Sequence, residues 1–155
     1  MRPILLLALV VLLADQATKW LILTQVMTPP RVIEITGFFN LVLAYNRGVS
    51  FGLFAHDSAA MPFVLAGAAL AISIGVLIWA WRQQRALTSF CAGLIVGGAI
   101  GNLIDRLRIG AVVDFLDFHA YGWHWPAFNL ADSAIVTGVA LLLYDGLRGA
   151  PRSTK

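Results

Sequence analysis

Gly97 to Ser133 reads GGAIGNLIDRLRIGAVVDFLDFHAYGWHWPAFNLADS. This stretch sets four acids, two Asn, two Arg and two His into a chain that is otherwise mostly hydrocarbon. Its first residues continue an apolar segment covering about 86–105, and its last open another covering about 128–147. Each is about 20 residues long, enough to cross a bilayer as a helix. The polar connection of about 106–127 must then sit at a membrane surface. Within it, VVDFLDF at 112–118 is rich in β-branched and aromatic residues and is compatible with a strand.

The rest of the chain has the same character. Of its 155 residues 59% are hydrophobic and only 12% charged, against about 25% charged in a soluble domain. Such a chain cannot cover a water-facing surface, so most of its surface meets lipid. Two further apolar spans occupy about 3–27 and 61–80. The first could pass for a signal peptide, but no small-x-small cleavage site follows it. The fold expected is a membrane all-α protein, four transmembrane helices with a small β element, forming one integral membrane domain over 1–155. Gly67, Ala71 and Gly75 recur every four residues, as do Gly93, Gly97 and Gly101. That spacing lets helices approach closely and predicts a tight four-helix bundle. RVIEIT and FFNLVLAY, separated by Gly37, predict two short strands in the segment of about 28–60.

Arg82 and Arg85 crowd the short connection between spans two and three. With four spans, Arg2, Arg148, Arg152 and Lys155 fall on that same side, which the positive-inside rule makes cytoplasmic. Both termini are then cytoplasmic, and the segments 28–60 and 106–127 share the outer face. The net charge of +3 is spread singly along the chain, giving no basic patch for nucleic acid. The lone Cys91 lies in an apolar span and reads as a packing residue.

Asp15 and Lys19 stand at i,i+4 inside span one, so they share a helix face and can neutralise one another. An ionisable group at that depth is expensive and marks either a tolerated pair or the support of a site. Asn102, Asp105 and Arg106 fall within one helical turn and can form a polar cluster. If 112–118 is a strand, Asp114 and Asp117 point to opposite faces, and spacing does not say which enters a site. Asp132, with Asn129 three residues before it, lies roughly 6 Å below the start of a helix beginning at Phe128, at 1.5 Å per residue. Two carboxyls brought close in a low dielectric share a proton and act as a general acid and base on water. The bland alternative pairs Asp114 with Arg106 or Arg108, and Asp132 with a helix end. Asn46 reads as a turn residue or as a donor to a bound peptide. His119 and His124 form no metal-binding spacing, and Ser50, Ser58 and Ser133 have no His-Asp context. The residues alone allow a protease, a small proton-conducting transporter built on Asp15, Asp105, Asp114 and Asp132, or an assembly factor using its glycine faces.

Five blocks together resemble the bacterial lipoprotein signal peptidase (signal peptidase II) family: DQATK at 15–19, YNRGVSFG at 45–52, GGAIGNLIDR at 97–106, VVDFLDF at 112–118 and WPAFNLADSAI at 125–135. The resemblance implies an aspartic endopeptidase of the bacterial cytoplasmic (inner) membrane. It would cleave diacylglyceryl-modified prolipoproteins just before the lipidated cysteine, as a monomer with no metal or cofactor. It also implies an extracytoplasmic β-cradle and sensitivity to the cyclic peptide globomycin. By the same resemblance the catalytic pair is Asp114 and Asp132. Its supporting residues are Asp15, Lys19, Asn46, Asn102, Asp105, Arg106 and Asn129.

Overall fold

The structure, a computed structural model, describes residues 2–48, 60–83 and 85–149. Part of the 45–52 block, Ser50 and Ser58, and Arg152 and Lys155 lie outside the described residues. Among the described residues four helices are long and apolar enough to cross a membrane, with mean hydropathies of 1.8, 2.4, 1.7 and 1.5 in chain order. The first, α1 (Arg2–Leu21), buries Ile4, Ala8, Val11, Asp15 and Lys19, one stripe at helical spacing. A π-helical turn at Ile22–Val26 extends it, and the Met27 N–H donates to the Ile22 carbonyl at 2.9 Å. Pro29 and Pro30 follow and cannot continue the hydrogen-bond ladder.

Helix α3 (Ala86–Ile109) is the hub: 61% of its most apolar window is buried, against 11–28% in the other three helices. Its glycines make this possible. A Cβ on Gly97 would lie 2.6 Å from the Ala8 carbonyl oxygen and 2.8 Å from Val11 Cβ on α1. One on Gly98 would lie 2.5 Å from the Ala131 carbonyl oxygen of α4 (Leu130–Gly149). Gly138 of α4 returns the contact, with the Cys91 carbonyl 2.9 Å from its would-be Cβ. Without hydrophobic drive between helices in lipid, such backbone approach is what holds the bundle.

The second stripe of small residues does not act this way. On α2 (Met61–Gln83) a Cβ at Gly67 or Gly75 would meet nothing within 4 Å. The buried face of α2 is instead Pro62, Ala66, Ser73 and Ala80, which at 3.6 residues per turn lies on nearly the opposite side of the helix from the predicted stripe. Small spacing permits approach but does not compel it, and two small faces were available. We expect Gly97→Val to lower thermal stability in detergent by at least about 1–3 kcal/mol, the cost of overpacking, because backbone atoms cannot step aside. Gly67→Ala, measured in parallel, should leave the unfolding temperature nearly unchanged.

The small β element expected from the sequence is present. Strands β1 (Ile33–Thr36), β2 (Phe39–Asn46), β3 (Val112–Ala120) and β4 (Trp123–His124) form one antiparallel sheet in chain order. A third and fourth strand relieve the marginal stability of a lone hairpin. Phe115 packs with Ile22 and Met27, and Ile33, Leu41 and Leu43 close over them, so the sheet rests on the end of α1. Asn40 lies opposite Asp117 and Ala44 opposite Asp114, with a bulge in β2 between Leu41 and Ala44. The helix ends next to the sheet differ from the sequence reading. Helix α3 runs on to Ile109 and stops at Gly110, whose φ of 71° suits glycine. Helix α4 starts at Leu130, so Asp132 lies in its first turn rather than a turn deeper. At the opposite end of the bundle, Arg85 and Asp145 join α3 to α4 at 2.7 Å. The pair is exposed and contributes little.

Candidate active site

The polar side chains of four elements converge where the sheet meets the bundle. Asn129 is their centre and is fully buried. It is the N-cap of α4: its Oδ1 accepts from the Asp132 N–H at 2.9 Å, and Asp132 Oδ2 accepts from the Asn129 N–H at 3.3 Å. This is a reciprocal capping box with Asp in the third helical position. The Asn129 amide nitrogen then donates to Asp114 Oδ1 at 2.7 Å and to the Val113 carbonyl at 3.2 Å. One side chain therefore ties the acid of β3 to the acid of α4. Asn102 of α3 donates to Asp132 Oδ1 at 2.7 Å, and its own Oδ1 accepts from Asn129 at 3.2 Å and from Lys19 at 2.9 Å. Those two donors fix which way the Asn102 amide faces.

Behind this pair lies a second charged group. The Lys19 ammonium sits 2.9 Å from Asp15 and 2.8 Å from Asp105. With Asn102 as third acceptor, all three of its donors are used. Asp15 also accepts from the Ala131 N–H at 3.0 Å, a buried bond that registers α1 against the first turn of α4. Asp105 accepts from the Val113 N–H at 3.2 Å, one residue before Asp114. The cluster of Asn102 and Asp105 is thus not satisfied within its own helix, as a local reading would have it, but links α1, β3 and α4. Arg106 donates to the Asn102 carbonyl at 3.2 Å and stands in the fields of Asp132, Asp114 and Asp105. Among the described residues neither Arg106 nor Arg108 forms an ion pair with Asp114. The helix-end role foreseen for Asp132 in the bland reading is real, and it coexists with the link to Asp114.

Burial drives the Asp114 carboxyl up to about 6, helped by the charge of Asp132; hydrogen bonds from Asn46 and Asn129 and the charge of Lys19 oppose the rise. Asn46 is the turn residue foreseen, and it has a partner that the sequence did not suggest. Its Oδ1 accepts from the Gly48 N–H at 2.9 Å in a turn, and its side chain also bonds Asp114. Asp117 points away from Asp114, towards Asn40 and His124. Gln16 is the supporting residue that sequence reasoning missed: its amide reaches Asp15, Asp105 and the Gly101 carbonyl at 3.1–3.2 Å. Its place beside Asp15 was the available signal. No group of His, Cys, Asp and Glu among the described residues is arranged to hold a metal ion.

The family model described as signal peptidase (SPase) II matches residues 7–148. A lipoprotein signal peptidase of Syntrophotalea carbinolica is 44% identical over 154 residues, covering 95% of this chain and 94% of that one. One of Burkholderia vietnamiensis is 48% identical over 150 residues, covering 96% and 89%. Two solved structures of bacterial membrane enzymes, each 28% identical, superpose with TM-scores of 0.77 and 0.80 and cover 100% and 97% of this chain and 96% of each of theirs. By the extent of the family match and the identity to these relatives, the chain belongs to the signal peptidase II family.

Proposed function

We propose that this protein removes signal peptides from diacylglyceryl-modified prolipoproteins, cutting the bond before the lipidated cysteine with Asp114 and Asp132 as a water-activating pair. The observation that carries the reading is Asn129, whose amide binds Asp114 while its N–H and Oδ1 hold Asp132. Two acids from separate elements are thereby held at one end of the bundle.

In this reading Asp132, bonded by Asn102 and by the Asn129 N–H at a helix N-terminus, takes a proton from water. The water oxygen attacks the scissile carbonyl carbon while Asp114 gives its proton to the carbonyl oxygen. The resulting diol collapses: the Asp132 proton passes to the leaving nitrogen, the C–N bond breaks, and one diol hydroxyl returns its proton to Asp114. Neither acid ends changed, and the sum is addition of water across the peptide bond. A diacylglyceryl anchor holds the scissile bond at the membrane surface, so binding energy from the acyl chains positions the reacting atoms. The protein acts as a single monomeric membrane domain with both termini cytoplasmic and the sheet, as a cradle, on the outer face of the inner membrane. It is inhibited by globomycin.

The test compares a synthetic prolipoprotein peptide with its counterpart lacking the diacylglyceryl group. Mass spectrometry should place the cut before the modified cysteine, with the unmodified peptide cleaved at least about 100-fold more slowly through lost positioning. Equal rates on both would remove the lipid anchor from the account.

A further inference from the structure

One buried carboxylate takes no part in this chemistry. Asp117 is 5% exposed on the face of β3 opposite Asp114. Its Oδ2 accepts from the Asn40 amide of β2 at 3.0 Å, and both its oxygens lie 2.9 Å from His124 Nδ1 of β4. The His124 ring stacks on His119 with centroids 5.0 Å apart. Burial alone would raise the Asp117 carboxyl, but the bonds from His124 and Asn40 and the charges of His124 and His119 outweigh it and hold the group below its ordinary range.

The position of this clasp in the chain gives it a consequence. Only residues 125–128 separate His124 from Asn129. They run back along β3: the Trp125 N–H donates to the Phe118 carbonyl at 2.8 Å, and the Phe128 N–H to the Leu116 carbonyl at 3.1 Å. The Phe128 carbonyl then accepts from the Phe115 and Leu116 N–H groups at 3.0 and 2.9 Å. Pro126 interrupts the ladder because it has no N–H. The strand pairing before it spans just His119 with His124 and Ala120 with Trp123. So short a strand sets its register weakly, and the side-chain clasp reinforces the few backbone bonds that Trp125 and Phe128 make to β3.

We infer that Asp117 and His124 are positioning residues: their bond fixes the register of 124–128 on β3 and so the placement of Asn129 between the two acids. The inference rests on the Asp114–Asp132 reading. When the clasp opens, Asn129 drifts from Asp114 and the pair loses alignment. An Asn129 bond favours the ionised form of Asp114, so its loss moves the proton loss of Asp114 to higher pH. The other groups acting on Asp114, namely Asp132, Lys19 and Asn46, stay in place, as does Arg106.

The test uses full-length protein in detergent and a diacylglyceryl peptide. The His124 side chain is 55% exposed, so His124→Phe should fold. It is expected to lower kcat about tenfold or more with KM little changed, and to move the alkaline limb of the pH–kcat/KM profile upward. His124→Asn, whose amide can donate from nearly the Nδ1 position, should restore most of the rate and return the limb. Asp117→Ala should behave as His124→Phe does. Unchanged kcat and limb in folded His124→Phe and Asp117→Ala overturn the inference, as does an equal loss in His124→Asn. Full activity in Asp114→Asn instead sinks the underlying dyad, a result independent of the clasp variants.

Discussion

Asp114→Asn should lower cleavage of a diacylglyceryl peptide by at least about three orders of magnitude, general acid and base steps being worth about 10²–10⁴ each. An amide can neither give nor take the proton. The substituted protein should still fold, because Asn can accept from the Asn129 amide where Asp114 now does at 2.7 Å. Asp132→Asn should lose activity to the same degree and some stability as well. Asp132 is half of the capping box of α4, and its charge complements the helix N-terminus. Steady-state cleavage beside thermal unfolding distinguishes the two variants. A folded Asp114→Asn with wild-type turnover would remove Asp114 from the chemistry.

The second large effect is on stability. Lys19→Met leaves Asp15 and Asp105 facing each other without a cation, their side chains 0% and 7% exposed. Breaking a buried pair by removing one partner costs about 3–5 kcal/mol, or about 10 °C in unfolding temperature for a chain of this size. Activity should fall further than stability alone explains. Lys19 holds the Asn102 oxygen at 2.9 Å, which turns the Asn102 nitrogen to Asp132. Without Lys19 only the 3.2 Å bond from Asn129 keeps that oxygen in place, so the amide is held less firmly towards Asp132. Thermal unfolding and kcat of the variant in one detergent check both parts, and an unfolding temperature within about 2 °C of wild type contradicts the buried-cation argument.

Much of this was legible in the sequence because hydrocarbon length is a direct signal. Four apolar runs gave four spans, and the Asp15–Lys19 spacing gave a pair that the structure contains. What stayed hidden depended on which faces meet. Sequence offers Gly67, Ala71 and Gly75 as readily as Gly93, Gly97 and Gly101, yet α3 packs only its own stripe against α1. Helix ends were hidden for a different reason. The capping exchange of Asn129 with Asp132 starts α4 two residues later than hydropathy suggests, since Phe128 is apolar but belongs to the ladder on β3. The bonds of Gln16 to Gly101 and Asp105, and of Asp117 to Asn40, join positions far apart in the chain, and only the adjacency of Gln16 to Asp15 hinted at any of them. The choice between Asp114 and Asp117 came from resemblance, because a strand's alternation is symmetric between its faces.

In the proposed mechanism two coupled carboxyls, sharing one proton, activate water. The pH dependence of kcat/KM on a diacylglyceryl peptide tests it most directly, because that ratio reports the free enzyme's acid and base. The prediction is a bell with its alkaline limb near pH 6, where Asp114 loses the shared proton. The acid limb lies below it, where the remaining carboxylate is neutralised. Asn46→Ala should move the alkaline limb upward, since the bond it removes favours the ionised Asp114. A profile flat from about pH 4 to 9, spanning the ordinary carboxyl range and well beyond, would contradict a titrating pair.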